Sequence, residues 1–504
     1  MKMRCWLVLL SWIWTSLAFA QSGTGRKGAQ REMSLQECIE IALKSNLDVQ
    51  IERYNPEIAL YNVSAAKAGY DPGFSFSGQH DHGSSGSSVF QGGLLIPGSQ
   101  NDANTFNTSL GGLLPSGATY SLQGNASDRY GKSFDTNFNA VPFDSSQSSA
   151  SINISQPLLK DFWIDSTRLN IKVAKNRLKF TELGLRQRVM VTATSVEQAY
   201  YDLIYAHESV RVQAKAVELA EQLVTENRKR VEVGAMAPLD EKQAESQAAA
   251  SRADLISAQN AVSVVENELK KLLSENYSDW ATVSVIPSGT LLAVRTFFDL
   301  QDSWSKGLTQ RPDYLQAKLD VERAGFQLKY NYNQLFPELN VFGSYGYNGN
   351  GDEFSGALGD LRSGDRPFWS YGGSISFPLS NTGARSAYKT SKAAQSQTIL
   401  FLKRTEQEVM VQIDNDIKSA QSAYERVDAT RQARLYAEAA LDAGQKKLEN
   451  GKSTAFEVLQ LQRDLTSARG SEIRALADYN KALAQLALDE GSTLERRGIE
   501  VDAK

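Results

Sequence analysis

The distribution of glycine and proline constrains this chain more than any other feature. Residues 158–233 and 384–450 hold one glycine each, Gly184 and Gly444, and no proline, whereas 13 of the 36 glycines fall in 69–131 and 10 in 343–383. Both residue types disfavour helix interiors. The chain therefore alternates between two Gly-rich windows and two uninterrupted helical stretches. At 1.5 Å per residue each stretch extends roughly 100 Å. No ordinary globular domain needs helices of that length.

The alternation is an internal repeat. At an offset of 265, Leu35, Gln36, Leu43, Asp48 and Pro72 match Leu300, Gln301, Leu308, Asp313 and Pro337 without a gap. At 221, Ile154-Ser155-Gln156-Pro157-Leu158 matches Ile375-Ser376-Phe377-Pro378-Leu379, and at 217 Gly234, Gln243, Ala258 and Leu269 match Gly451, Gln460, Ala475 and Leu486. The drop from 265 to 221 makes the first Gly-rich window 44 residues longer. The halves span 34–275 and 299–490, with a joining segment at 276–298 and a polar tail at 491–504. Ser34 with Glu37 reads as a capping box, and Asp299 with Asp302 occupies the same places in the second half. Short helices follow, then helices over about 47–70 and from Pro312 to before Pro337; Pro56 should kink the first copy. After Gly234 and Gly451, helices of about 37 residues carry Val262, Val265, Leu269, Leu272 and Leu476, Tyr479, Leu483, Leu486 at packing spacing. Two half-length helices stacked end to end match one long one.

Within the Gly-rich windows the hydrophobic period falls to two. Trp369, Tyr371, Ile375 and Phe377 alternate with Ser370, Gly372, Ser374 and Ser376; Leu339, Val341, Tyr345 and Tyr347 repeat the pattern, as do Phe74 and Phe76, and Ala150, Ile152 and Ile154. Segments of about ten residues alternating apolar with small polar side chains read as transmembrane β-strands rather than strands of a soluble sandwich.

Composition excludes several functions. Lysine plus arginine (54) against aspartate plus glutamate (58) gives a net charge of -4, so no nucleic-acid partner is expected. Three histidines (His80, His82, His207) and two cysteines give no raw material for zinc sites or a disulfide scaffold. His80-Asp81-His82 could be half of a metal site, but its Ser/Gly surroundings favour an extracellular loop. Gly23-Thr24-Gly25-Arg26-Lys27-Gly28 fits a dinucleotide fingerprint with no strand before it and reads as a loose tail. Cys38 reads as a small buried residue. No nucleophile, acid/base pair, metal or cofactor is expected, so no enzyme. Residues 1–20 read as a cleaved signal peptide, with Lys2 and Arg4 before an apolar core and Ala18-Phe19-Ala20 at the cleavage site. Gln21 follows, so no N-terminal cysteine would be available for a lipid anchor.

In this setting the chain resembles the TolC-like outer-membrane efflux proteins over about 34–490. The resemblance rests on Arg311-Pro312-Asp313, with Asn46-Leu47-Asp48 as a degenerate copy, and on Ile154-Ser155-Gln156-Pro157-Leu158-Leu159 at a strand-to-helix junction. The helix tips are similar too: Arg230-x-x-x-Gly234 followed by Asp240, and Lys447-x-x-x-Gly451 followed by Glu457. It implies a mainly α fold with transmembrane β: a trimeric β-barrel continued by a long α-helical barrel, two structural repeats per chain. It further implies a passive exit duct in the bacterial outer membrane, its helices in the periplasm. The partners would be two further copies, outer-membrane lipid, a periplasmic adaptor and an inner-membrane efflux or ABC pump. A trimeric coiled-coil structural or adhesive protein is the alternative, disfavoured because strands occur in both halves; a porin would not spend over half its length on helix.

Three expectations follow. Four aligned strands per chain are too few to close a barrel, so three chains should give twelve. Phe106, Leu110 and Leu114, then Pro115-Ser116-Gly117, then Ala118, Tyr120 and Leu122 look like another hairpin near 105–127, which either stands outside the lipid or raises the count to eighteen. The turns at Gly234 and Gly451, with Arg230, Ala235, Lys447 and Lys452, should dock the adaptor. Glu457 and Asp240, each six residues past a tip glycine, are candidates for an acidic pore constriction, or for acids that favour a helix start. Gln460 stands where the family pattern has a second acid.

Overall fold

The computed structural model describes residues 30–90, 94–96, 98–134 and 139–500. The signal segment and the Gly23–Gly28 fingerprint lie outside these residues. The chain enters through β1 (Gln30–Met33), then α1 (Leu35–Ser45), α2 (Leu47–Lys67) and a 3-10 turn, Ala68–Tyr70. The Ser34 hydroxyl accepts the Glu37 N–H at 3.2 Å, but the Glu37 carboxylate turns to Arg31 at 2.7 Å, so half of the capping box forms. Helix α2 runs on through the buried Pro56.

The first Gly-rich window holds β2 (Gly73–Ser84), the small hairpin β3 (Ser88–Phe90) and β4 (Leu94–Ile96), then β5 (Gln100–Leu113), β6 (Thr119–Phe134) and β7 (Ala140–Pro157). The long α3 (Ser166–Glu232) and α4 (Pro238–Leu273) follow, then α5 (Tyr277–Trp280) and β8 (Ser284–Pro287). The second half repeats the plan: α6 (Leu300–Gln310), α7 (Pro312–Asn333), β9 (Glu338–Gly351), α8 (Phe354–Ser363), β10 (Pro367–Ser376), α9 (Thr382–Glu449) and α10 (Ala455–Asp489), closed by α11 (Thr493–Arg497). The long helices have 67 and 68 residues and the returning ones 36 and 35, as the glycine map requires.

Two equivalent cores hold the halves. In the first, Cys38 and Ile39 of α1 pack on Val196 and Leu203 of α3 and Leu269 and Leu273 of α4. In the second, Trp304 and Leu308 of α6 pack on Val409, Ile413 and Ile417 of α9 and Leu486 of α10. Full burial of each such aliphatic side chain contributes about 1.5–3 kcal/mol. Burial, with the Glu37 carboxylate adding to it, pushes the Cys38 thiol up to about 12, so this cysteine is chemically inert.

The hairpin of β5 and β6 is not outside the sheet. A six-stranded antiparallel sheet runs in the order β10-β9-β7-β6-β5-β2 and places that hairpin between β2 and β7. Its register is continuous: Phe76 lies opposite Thr108, Leu110 opposite Leu122, Leu122 opposite Ile152, and Ile152 opposite Tyr345. Residues opposite one another share a face, so one face carries Phe74, Leu110, Leu122, Ile152, Tyr345 and Trp369, and the other is mostly serine, asparagine and glutamine, with Phe342, Phe368, Asp81, Arg129 and Glu338 among them.

Four features depart from the sequence reading. His80 and His82 lie in β2, not in a loop, where both face Asp102 at 3.8 and 2.5 Å. β1 pairs in parallel with β8 inside the joining segment, burying Met33 and Val285. Helix α8 packs on the apolar face of the sheet, with the Ser148 hydroxyl donating to the Ala357 carbonyl at 2.7 Å and Phe106 edge-on to Phe354 at 5.8 Å. The segment read as a polar tail docks through α11, which buries Leu494 and pairs Arg497 with the buried Glu197.

Candidate functional site

The two helix tips are built alike. At the end of α3 the Ala235 N–H donates to the Arg230 carbonyl at 2.7 Å and the Gly234 N–H to Val231 at 3.0 Å; at the end of α9, Lys452 donates to Lys447 at 2.8 Å and Gly451 to Leu448 at 3.1 Å. Both glycines are left-handed, with φ of 73° and 68°. This cap satisfies the last helical carbonyls and is cheap only for a residue without Cβ. The carbonyls of Arg230 and Lys447 close the two turns, a backbone role that does not depend on the side chain. Their side chains diverge. Arg230 donates to the Leu448 carbonyl at 3.3 Å and ties one tip to the other, whereas Lys447 is exposed with no ion pair among the described residues. Leu223, Leu441, Leu448, Val458 and Leu465 form a core beneath both turns. Above it Val233, Leu239 and Phe456 stand 77%, 66% and 60% exposed, beside exposed Ala235 and Lys452.

The two acids separate. Each is the third residue of its returning helix. Asp240 is half-buried on the stripe of α4 that includes the buried Ala244, Ala248 and Ser251, and its carbonyl accepts from Asn227 of α3 at 3.4 Å. Glu457 is exposed on the stripe of α10 opposite the buried Val458, Leu459 and Gln462. Its N–H donates to the Thr454 hydroxyl at 3.2 Å and its carboxylate accepts from Ser453 at 2.7 Å, so it also starts the helix. Two turns further on the same stripe stands Asp464, exposed and accepting from Gln460 at 3.1 Å. The sequence reading passed over Asp464; the i, i+3, i+7 spacing of Glu457, Gln460 and Asp464 was the available signal.

The Arg311-Pro312-Asp313 turn is a clamp. Its guanidinium reaches Asp313 at 2.9 Å, the Asp489 carbonyl and carboxylate at 3.2 and 3.4 Å, and Gln412 at 2.8 Å. It therefore joins the α6–α7 corner to α9 and to the end of α10. In the first half Asn46 caps α2 through Asp48 and Val49 and donates to the Leu272 carbonyl at the end of α4 at 3.1 Å, a neutral version of the same clamp. Beside Arg311, burial and then the Asp489 carboxylate push the Asp416 carboxyl from 3.8 up to about 7, against the opposing pull of the guanidinium. The folded chain then holds a proton between about pH 4 and 7 that the unfolded chain releases, so this group's contribution to stability falls as pH rises through that window. Asp416→Asn is expected to flatten the pH dependence of the thermal midpoint there; an unaltered slope would remove Asp416 as its source.

The family model for outer membrane efflux proteins matches residues 116–275 and 304–489, which includes parts of both repeats and most of the chain. The chain belongs to the outer membrane efflux protein family. It is 25% identical over 372 residues to outer membrane protein TolC of Vibrio cholerae, covering 72% of this chain and 81% of that protein. Among solved structures the fold is similar to the outer membrane protein VceC of Vibrio cholerae, with a TM-score of 0.66 and 18% identity across 91% of this chain and 96% of that one. It is likewise similar to the CmeC outer membrane channel of Campylobacter jejuni, with a TM-score of 0.65 and 15% identity across 91% and 86%. The two repeats legible in the glycine map and the channel fold implied by the resemblance are thus those of this efflux family.

Proposed function

We propose that three copies of this chain form a passive exit duct through the bacterial outer membrane, with the sheets in lipid and the helices crossing the periplasm. The observation that carries this reading is the sheet: one face apolar and aromatic, the other mostly hydroxyl and amide, with helices of 67 and 68 residues continuing from it. An apolar band flanked by aromatics is what a lipid-facing surface requires. The duct would do no chemistry. Export would be driven by an inner-membrane efflux or ABC pump, coupled through a periplasmic adaptor that meets the Gly234 and Gly451 turns.

Glu457 then guards the periplasmic mouth. In a trimer it occurs three times about the axis, and close carboxylates without paired cations favour cations over anions. Asp464 would form a second ring about 10 Å deeper, at 1.5 Å per residue. In planar-bilayer recordings Glu457→Gln is expected to weaken cation preference and divalent block, and Glu457→Gln with Asp464→Asn to abolish them. Unchanged selectivity in the double variant, with assembly intact, would leave Glu457 as a helix-start acid only.

A further inference from the structure

The sheet has two open edges. Among the described residues β2 and β10 each pair on one side only, which leaves a row of backbone N–H and C=O groups unpaired in each. In hydrocarbon such a row is untenable, so another strand must cover it. Successive strands in the sheet are antiparallel and their number is even, so β2 and β10 run in opposite directions. Setting the β10 edge of one copy against the β2 edge of the next therefore continues the antiparallel alternation without a break.

The extra hairpin is part of this wall. Leu110, Tyr120 and Leu122 lie on the same face and at the same heights as Phe74, Ile154 and Ile152 of the flanking strands, and Phe106 lies on that face opposite Gly78, the next position on it beyond Phe76. Its other face continues the polar lining with Asn107, Ser109, Gln123 and Asn125. A hairpin standing clear of lipid would have no use for an apolar row in register with its neighbours. Without it, β2 and β7 would each lose a partner along 12 and 16 paired positions. We infer that the transmembrane barrel of this chain has 18 strands, six from each of three copies (3 × 6 = 18), rather than twelve.

This rests on the trimeric duct reading and deepens it. Barrel diameter grows with strand number, so with strands ~4.8 Å apart and tilted ~40° the wall is roughly 36 Å across, against roughly 24 Å for twelve strands. The lining is mostly hydroxyl and amide, with Asp81, Arg129 and Glu338 on the same face, a mixed polar surface that fits bulky polar solutes.

The test is a distance. Asn348 of β9 is exposed on the polar face, and β9 belongs to the wall at either strand count. Asn348→Cys carries a nitroxide, while Cys38 is fully buried and stays unlabelled. Backbone separation between copies about a three-fold axis is roughly 31 Å for eighteen strands and roughly 21 Å for twelve, both shortened alike by the inward reach of the label. Pulsed dipolar spectroscopy of the detergent-solubilised protein is expected to give the longer distance, with light scattering reporting a trimer. The shorter distance in a trimer would overturn the eighteen-stranded barrel and leave the duct standing. A monomer by light scattering would overturn the trimer, and the barrel with it.

Discussion

Arg311→Ala is expected to destabilise the fold by about 3–5 kcal/mol, the usual cost of removing one partner from a buried charge pair. The guanidinium is 12% exposed and Asp489 6%, so little solvent is at hand to replace the lost cation. The deletion leaves Asp489 and Asp416 facing each other without a counter-charge and releases the α6–α7 corner from α9 and α10 at once. The effect should depend on pH. The Asp416 carboxyl loses the guanidinium that favours its charged form, so the loss is larger at pH 8 than at pH 5. Asn46→Ala at the matching place in the first half should cost about 1 kcal/mol, because there a neutral cap and one neutral hydrogen bond are lost. Thermal unfolding followed by helical circular dichroism measures both. Equal midpoints for the two variants would show that the charge at Arg311 adds nothing to the turn.

What was legible in the sequence was what repeats locally. The absence of glycine and proline marked α3 and α9 almost to their ends, and period-two alternation marked β2, β7, β9 and β10. The two tip glycines located both reversals because a left-handed cap leaves few other choices. The missed elements are short and are held by partners far away in sequence. β1 has four residues with no alternation and exists because β8, some 250 residues on, pairs with it and Tyr200 donates to the Met33 carbonyl at 3.0 Å. Helix α8 contains Gly356 and Gly359, which argue against helix, and is fixed by the sheet surface beneath it. The division between Asp240 and Glu457 was hidden for a related reason. The packed stripe of α4 near the tip is Ala244, Ala248 and Ser251, small residues that do not stand out as core, so nothing local said which way Asp240 faced. The Arg311 motif could be recognised, yet its partners Gln412 and Asp489 stand 101 and 178 residues away, and only the folded chain joins them.

On the exit-duct reading, replacing Ala235 and Lys452 together by glutamate is expected to abolish export while the trimer and its amount in the outer membrane stay unchanged. Both side chains are exposed, and each residue serves its turn through its backbone N–H, so a longer side chain leaves the cap intact. The electrostatic change is large: one unit at Ala235 and two at Lys452 shift each chain by -3, and three chains by -9. It falls beside Lys447 and around Val233, Leu239 and Phe456, an exposed apolar patch edged by lysines and by Glu232, Glu449 and Glu457, which suits an adaptor tip with apolar groups and complementary charges. Rim charges govern association rate and partner choice, and like charges set face to face cost several kcal/mol, enough to lose coupling. Export by cells carrying the double variant should fall to that of cells lacking the chain, and the single variants should lie between. Undiminished export by the double variant, with trimer confirmed by light scattering, would mean that the glycine turns only reverse the chain and that the adaptor binds elsewhere along the helices.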